Sequence, residues 1–321
     1  MGFFSGNRRK ARLFAAFSLS IALLITTNMV ALAKDDDSLS ASASYMRVYK
    51  GATTAIKAAG TPLIYQGGQI LTASKVYISW WGTQWNTGFT TGGYTSATAQ
   101  TYIRGFFGNV GGSSWNNVDN QYCMGITKGS TSCGSSGTHI TNPAGQLKGE
   151  WVDTTSVPSR PTQANIASAA LRSMAHFGGY DPQAIYFVFT PSGRNMSGFG
   201  TQWCAWHDVT TSGSNQVAYA YMPYVPSVGS TCGANFVNKT NDSFGHGYFD
   251  GFSIVGGHEF VEAVSDPHPS GTNAGWWDSS GAENGDKCAW SASSANISLG
   301  GNNYAVQPIW SNAIGGCATS A

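Results

Sequence analysis

The residues best suited to chemistry lie in the stretch Gly256-Gly257-His258-Glu259-Phe260-Val261-Glu262-Ala263-Val264-Ser265-Asp266-Pro267. His258 and Glu262 are four apart. On a helix they share one face, about 6 Å apart along the axis, where an imidazole nitrogen and a carboxylate oxygen can meet one Zn²⁺. Glu259 sits beside that line, placed to act as a general base toward a water. The pattern H-E-x-x-E departs from the H-E-x-x-H of zinc metalloproteases at its last ligand. Glu is an acceptable zinc ligand, but the second imidazole is missing. The competing reading is a solvated polar face on an ordinary amphipathic helix.

A metal on His258 and Glu262 needs a third protein ligand. Asp266 would lie about 12 Å from His258 along a continuous helix, so it is better suited to bracing the turn. Glu283, in Glu283-Asn284-Gly285-Asp286-Lys287-Cys288, follows a long loop that can fold back over the helix. Asp286 is the candidate to orient His258 through its other ring nitrogen. A plain solvated turn around Asn284-Gly285 competes with both assignments. His207, in Cys204-Ala205-Trp206-His207, is a second catalytic candidate. It could donate to an oxyanion or replace a metal ligand, although a lone histidine there is more often a hydrogen-bonded core residue. His176, His246 and His268 have no motif around them.

These groups need elements to hold them. Ile254, Phe260, Val261 and Val264 recur at helical spacing, and Pro267 stops that helix. Ala97 to Phe107 reads as helical. So does Pro161 to Phe177, with proline in the first turn and Gly178-Gly179 at the end. Ile70-Leu71 with Val76 to Trp81 reads as a buried strand. Ala184 to Thr190 is apolar almost throughout, as in a sheet covered on both faces. Val217 to Tyr224 and Tyr304 to Trp310 are further apolar and aromatic stretches to which no element is assigned. The stretch 108–160 is rich in Gly, Ser and Asn and suits short strands.

The N-terminus has Arg8-Arg9-Lys10 and Arg12, an apolar run to Ile25, and Ala31-Leu32-Ala33. This reads as a secretory signal over 1–33. Cleavage after Ala33 removes four cations, leaving 13 Lys and Arg against 16 Asp and Glu, a net charge near −3 by subtraction from the 17 in the whole chain. Nothing in that balance favours nucleic acid or an anionic membrane. The six cysteines all follow the signal, and an even count in a secreted chain argues for disulfides. Sequential pairing, 123–133, 204–232 and 288–317, brackets one Gly/Ser-rich loop each. Residues 34–65, with Lys34-Asp35-Asp36-Asp37 and a Ser/Ala run, read as a weakly ordered leader or pro-segment. Residues 66–321 read as one domain.

Several segments occur in one order: Gly67-Gly68, Val76-Tyr77-Ile78-Ser79-Trp80-Trp81-Gly82, Ile185 to Thr190, Cys204 to His207, His258 to Pro267, and Glu283 to Trp290. Together they resemble the phosphate-induced protein 1, or EXORDIUM-like, family and its secreted bacterial relatives, over roughly residues 67–317. The resemblance implies an extracellular or wall location and an α/β domain with a metalloprotease-like helix. It also implies that Glu262 in place of a second histidine is a family trait. It brings no settled substrate. The spacing to Glu283 is similar to that of gluzincin peptidases, where a later glutamate completes the zinc site.

The expectation is an α/β (α+β) fold. It is a single secreted, loop-rich, disulfide-stapled domain with a mixed central sheet and a metalloprotease-like helix. Its expected function is that of a secreted zinc peptidase, monomeric, acting on protein or peptide. Zn²⁺ would be bound by His258, Glu262 and Glu283, with Glu259 and His207 catalytic. The alternative is a non-catalytic module for wall polysaccharide, with Trp80, Trp81, Trp85, Trp115, Trp276 and Trp277 stacking on sugars. Against that, large aromatics are usually core.

Overall fold

Six segments form the central sheet, five of them rich in the β-branched and aromatic side chains that suit a pleated surface. In chain order they are β1 (Ser44–Arg47), β2 (Lys75–Trp81), β3 (Leu147–Asp153), β4 (Ala184–Phe189), β5 (Trp203–Ser212) and β6 (Asn215–Met222). They lie side by side as β1-β5-β6-β4-β2-β3. Strands β6, β4, β2 and β3 are parallel, while β5 is antiparallel to both of its neighbours, β6 and β1. The sheet is therefore mixed. The coordinates are a computed structural model that describes residues 43–51, 60–269 and 273–321. The proposed signal, 1–33, lies outside the described residues.

Three long helices flank the sheet: α1 (Ser96–Asn109), α2 (Gln163–His176) and α3 (Asp250–Ser265). Every residue of β4 is buried, because alternate side chains meet different layers. The Phe187 ring lies 4.6 Å from that of Phe107 of α1, tilted against it, and Phe189 faces Phe252 of α3. Tyr186 instead stacks on Tyr77, which meets Phe177 at the end of α2. Helix α2 begins two residues beyond Pro161. Thr162 caps it through a reciprocal box with Asn165, which satisfies the open amides of its first turn. Ile70 and Leu71 are buried ahead of β2 but are not part of it.

Helix α3 is buried along all 16 of its residues. The polar side read as solvated is thus interior. Its glycines set its depth. A Cβ on Gly251 would lie 2.2 Å from the carbonyl oxygen of Cys232, and one on Gly257 would lie 3.2 Å from Phe106 and Trp115. A glycine inside a helix costs about 1 kcal/mol against alanine; here it allows close approach.

Part of the expected leader belongs to the fold. Ser44–Arg47 is the sheet's edge strand, and Ile64–Tyr65 pairs with Trp276–Trp277. The Ser/Ala composition gave no sign of this, because the open edge of β5 supplies the pairing. The three disulfides join Cys123 to Cys133, Cys204 to Cys232 and Cys288 to Cys317, in the sequential order expected. Among the described residues no helix is long and apolar enough to cross a membrane. Trp80, Trp81, Trp85, Trp115 and Trp276 are buried. These five pack the core and offer no face to a sugar, while Trp277, the sixth named, is half-buried.

Candidate metal centre

Helix α3 carries His258, Glu259 and Glu262 into the interior, and β5 brings His207 to meet them. Residues around position 207 alternate in direction. Asp208 turns away to Gln163 of α2, while His207 faces α3. The loop 283–286 closes over the helix from the other side. It is fastened by Asn284, whose amide donates to Asp119 and to the carbonyl of Val261, and by the disulfide at Cys288. Gly285 packs directly on the site: a Cβ there would lie 2.9 Å from both Glu262 Oε1 and His258 Nδ1. With that space open, the Asp286 backbone N–H reaches Glu262 Oε1 at 2.8 Å.

Hydrogen bonds fix how His258 presents itself. The Gln307 side-chain amide donates to the carbonyl of Gly285 at 2.7 Å, so its oxygen is left facing His258. That oxygen lies 3.2 Å from His258 Nδ1, and only a protonated Nδ1 makes this contact favourable. A neutral His258 then directs the bare lone pair of Nε2 at Glu262 Oε1, 3.0 Å away. In that neutral tautomer two acceptors face each other. A cation or a further proton is required between them. Metal-ligating histidines commonly show this arrangement, one nitrogen tied to an oxygen acceptor and the other free for the ion. Sequence reasoning named Asp286 for the orienting role, and Gln307 holds that place. No local motif marks Gln307; the contact spans 49 residues.

His207 repeats the pattern. Its Nε2 lies 3.2 Å from the carbonyl oxygen of Asp266. Its Nδ1 lies 3.3 Å from Glu259 Oε2 and 3.6 Å from Glu262 Oε2. Glu259 Oε1 accepts from the backbone N–H of Met46 in β1, at 3.3 Å. Glu283 stands on the His207 side, with Oε1 3.6 Å from His207 Nε2. Two sets of ligand atoms lie mutually within 4.8 Å: His258, Glu262 and Asp286, and His207, Glu259 and Glu262. Asp286, and not Glu283, is therefore the acid gathered with His258 and Glu262. Asp266 braces the turn after α3, accepting from Gly275 N and His268 N.

Charge in this interior is lopsided. Glu259, Glu262, Asp266 and Glu283 are all buried, and His207 and His258 stand among them. Burial alone would lower the pKa of His258, but the Glu262 carboxylate overrides this and holds it up at about 10. Burial likewise opposes protonation of His207, and Glu283, Glu259 and Glu262 raise it well above the usual imidazole range. Burial pushes Glu262 and Asp266 up. Each shift has the same sense: the site draws positive charge. Glu262 Oε2 and Glu283 Oε1 make no closer contact than the His207 nitrogens 3.6 Å away. Mixed imidazole and carboxylate donors of this kind suit Zn²⁺, so the residues present fit such an ion.

Comparison with known proteins found no match to this chain among family profiles, curated sequences or solved structures.

Proposed function

We propose that this chain is a secreted metal-dependent hydrolase acting on peptides, with zinc as its ion and an EXORDIUM-like ancestry. The observation that carries the reading is the buried pair His258 Nε2 and Glu262 Oε1, 3.0 Å apart, with His258 Nδ1 tied to Gln307. His258 and Glu262 would bind the ion, with Asp286 as third ligand in place of Glu283. The ion would supply Lewis acidity, polarising a carbonyl and lowering the pKa of a water. Glu259 lies one helical step from these ligands and is the group placed to take the proton from that water. His207, tied to the Asp266 carbonyl, holds the Glu259 carboxylate in position. Three disulfides support an oxidising, extracellular destination.

A second reading rests on burial. His207, His258, Glu259 and Glu262 have no accessible surface and Glu283 has 1%. A site so enclosed suits a non-catalytic wall-associated protein in which an ion staples α3 to its surroundings. Elemental analysis of the purified protein, paired with a peptide-hydrolysis panel, separates the two. Metal with turnover supports the hydrolase. Metal without turnover on any substrate supports the staple. No metal at all removes both.

A further inference from the structure

Strand β1 is an unusual edge strand, because its backbone touches the proposed base. The N–H of Met46 donates to Glu259 Oε1, and Ser44 pairs directly with His207. The strand runs antiparallel along β5, and the pairing continues past it: Val48 N–H donates to the carbonyl of Gln202 and Tyr49 N–H to that of Thr231. Alternate side chains differ sharply. Met46 is 0% and Val48 3% exposed, whereas Arg47 is exposed. Tyr49 lies between the rings of Phe236 and Trp290, and the Trp290 indole N–H caps the Arg47 carbonyl. This is how a protein takes up an extended peptide as an added strand. Main-chain bonds supply affinity, and pockets for alternate side chains supply selectivity.

We propose that the edge of β5 is a peptide-binding site, and that residues 44–49 are its built-in occupant. The peptides it takes are extended and antiparallel to β5. They carry an unbranched or β-branched apolar residue at two alternate positions, those of Met46 and Val48, with any polar residue between them. While β1 is seated, its Met46 amide engages Glu259 and the strand lies over His207, so the centre is closed. Vacating the edge opens it. The proposal deepens the hydrolase reading and rests on it for the claim that a bound peptide is cut; the binding claim stands without it.

The test uses the full chain with a site-specific protease sequence inserted between Gly51 and Gly60. The folded protein is cut, then mixed with a fluorescent synthetic peptide of sequence Ser-Tyr-Met-Arg-Val-Tyr-Lys. The expected result is exchange. The labelled peptide binds the cut protein and not the uncut one, and a peptide with Asp at the Met and Val positions binds at least about tenfold more weakly, since two apolar side chains lose their burial. A cut protein that never releases its N-terminal fragment and never takes up the label overturns the proposal. So does equal binding of the two peptides. A second variant, Met46→Asp with Val48→Asp in the uncut chain, is predicted to bind the label with its disulfides intact. A folded variant that does not bind it counts equally against the proposal. Exchange without hydrolysis in a metal-loaded sample leaves the binding site standing and sinks the hydrolase reading alone.

Discussion

His258 Nε2 and Glu262 Oε1 stand 3.0 Å apart, a separation that calls for a proton or a cation between them. One helical turn of α3 creates the contact, and two distant residues dictate its chemistry. Gln307 settles the imidazole tautomer, and Gly285 admits the backbone that holds the carboxylate.

Removing His258 should abolish metal binding, and removing its support should weaken it. His258→Ala is expected to purify without the ion. Gln307→Leu keeps every proposed ligand but frees the ring, and outer partners of this kind are worth about 10–100-fold in metal affinity. Chelator competition measures this directly. Unchanged affinity in Gln307→Leu would show that the tautomer is not what prepares the site.

Glu259→Gln and Glu262→Gln should separate base from ligand. The first is expected to retain the ion and lose about 10²–10⁴-fold in turnover. The second should lose the ion, since a neutral amide is a poorer donor. If Glu259→Gln instead strips the metal with turnover falling in proportion, Glu259 belongs among the ligands.

Gly285→Ala tests the close approach of the loop. The new methyl would meet Glu262 Oε1 and His258 Nδ1 at 2.9 Å, so the loop must move. Overpacking of this kind costs about 1–3 kcal/mol, and metal affinity should fall with it. Thermal melts of apo and metal-loaded samples report the two effects separately. An alanine variant with wild-type affinity would place the loop further from the site.

His268 should impose an acid limit on stability. Burial lowers its pKa from the ordinary 6.5 to about 4, so the folded chain keeps it neutral where the unfolded chain is already protonated. Its contribution is therefore complete above pH about 6.5 and is lost as pH falls toward about 4. Denaturant midpoints for wild type should drop across that window, and those for His268→Gln should drop less. Parallel curves for the two proteins would assign the acid sensitivity to other groups.

Much of this was legible in the chain. The aromatic and β-branched runs of β2 and β4 declared strands, and the apolar spacing of Ile254, Phe260, Val261 and Val264 declared α3. Six cysteines allow fifteen pairings that sequence alone does not choose among; the sequential set expected from the loops they bracket is the one present. Other features rest on contacts between distant residues, which periodicity does not register. His207 and Glu259 are 52 residues apart, and Met46 and Glu259 are 213 apart. Helix α3 resembles a surface helix on its polar side only because the strand, the loop and Gln307 that enclose it lie elsewhere. Glu283 and Asp286 share one short loop, and spacing alone could not tell which faces which imidazole.

The three disulfides have a consequence for how the chain matures. Their spans of 10, 28 and 29 residues neither nest nor cross. Within each bridge the second cysteine is the next one in the chain after the first. An oxidase that joins thiols strictly in order of arrival produces the native set without reshuffling. Under that order the stitch that anchors β5, Cys204 to Cys232, closes ahead of α3, which lies wholly beyond it in the chain.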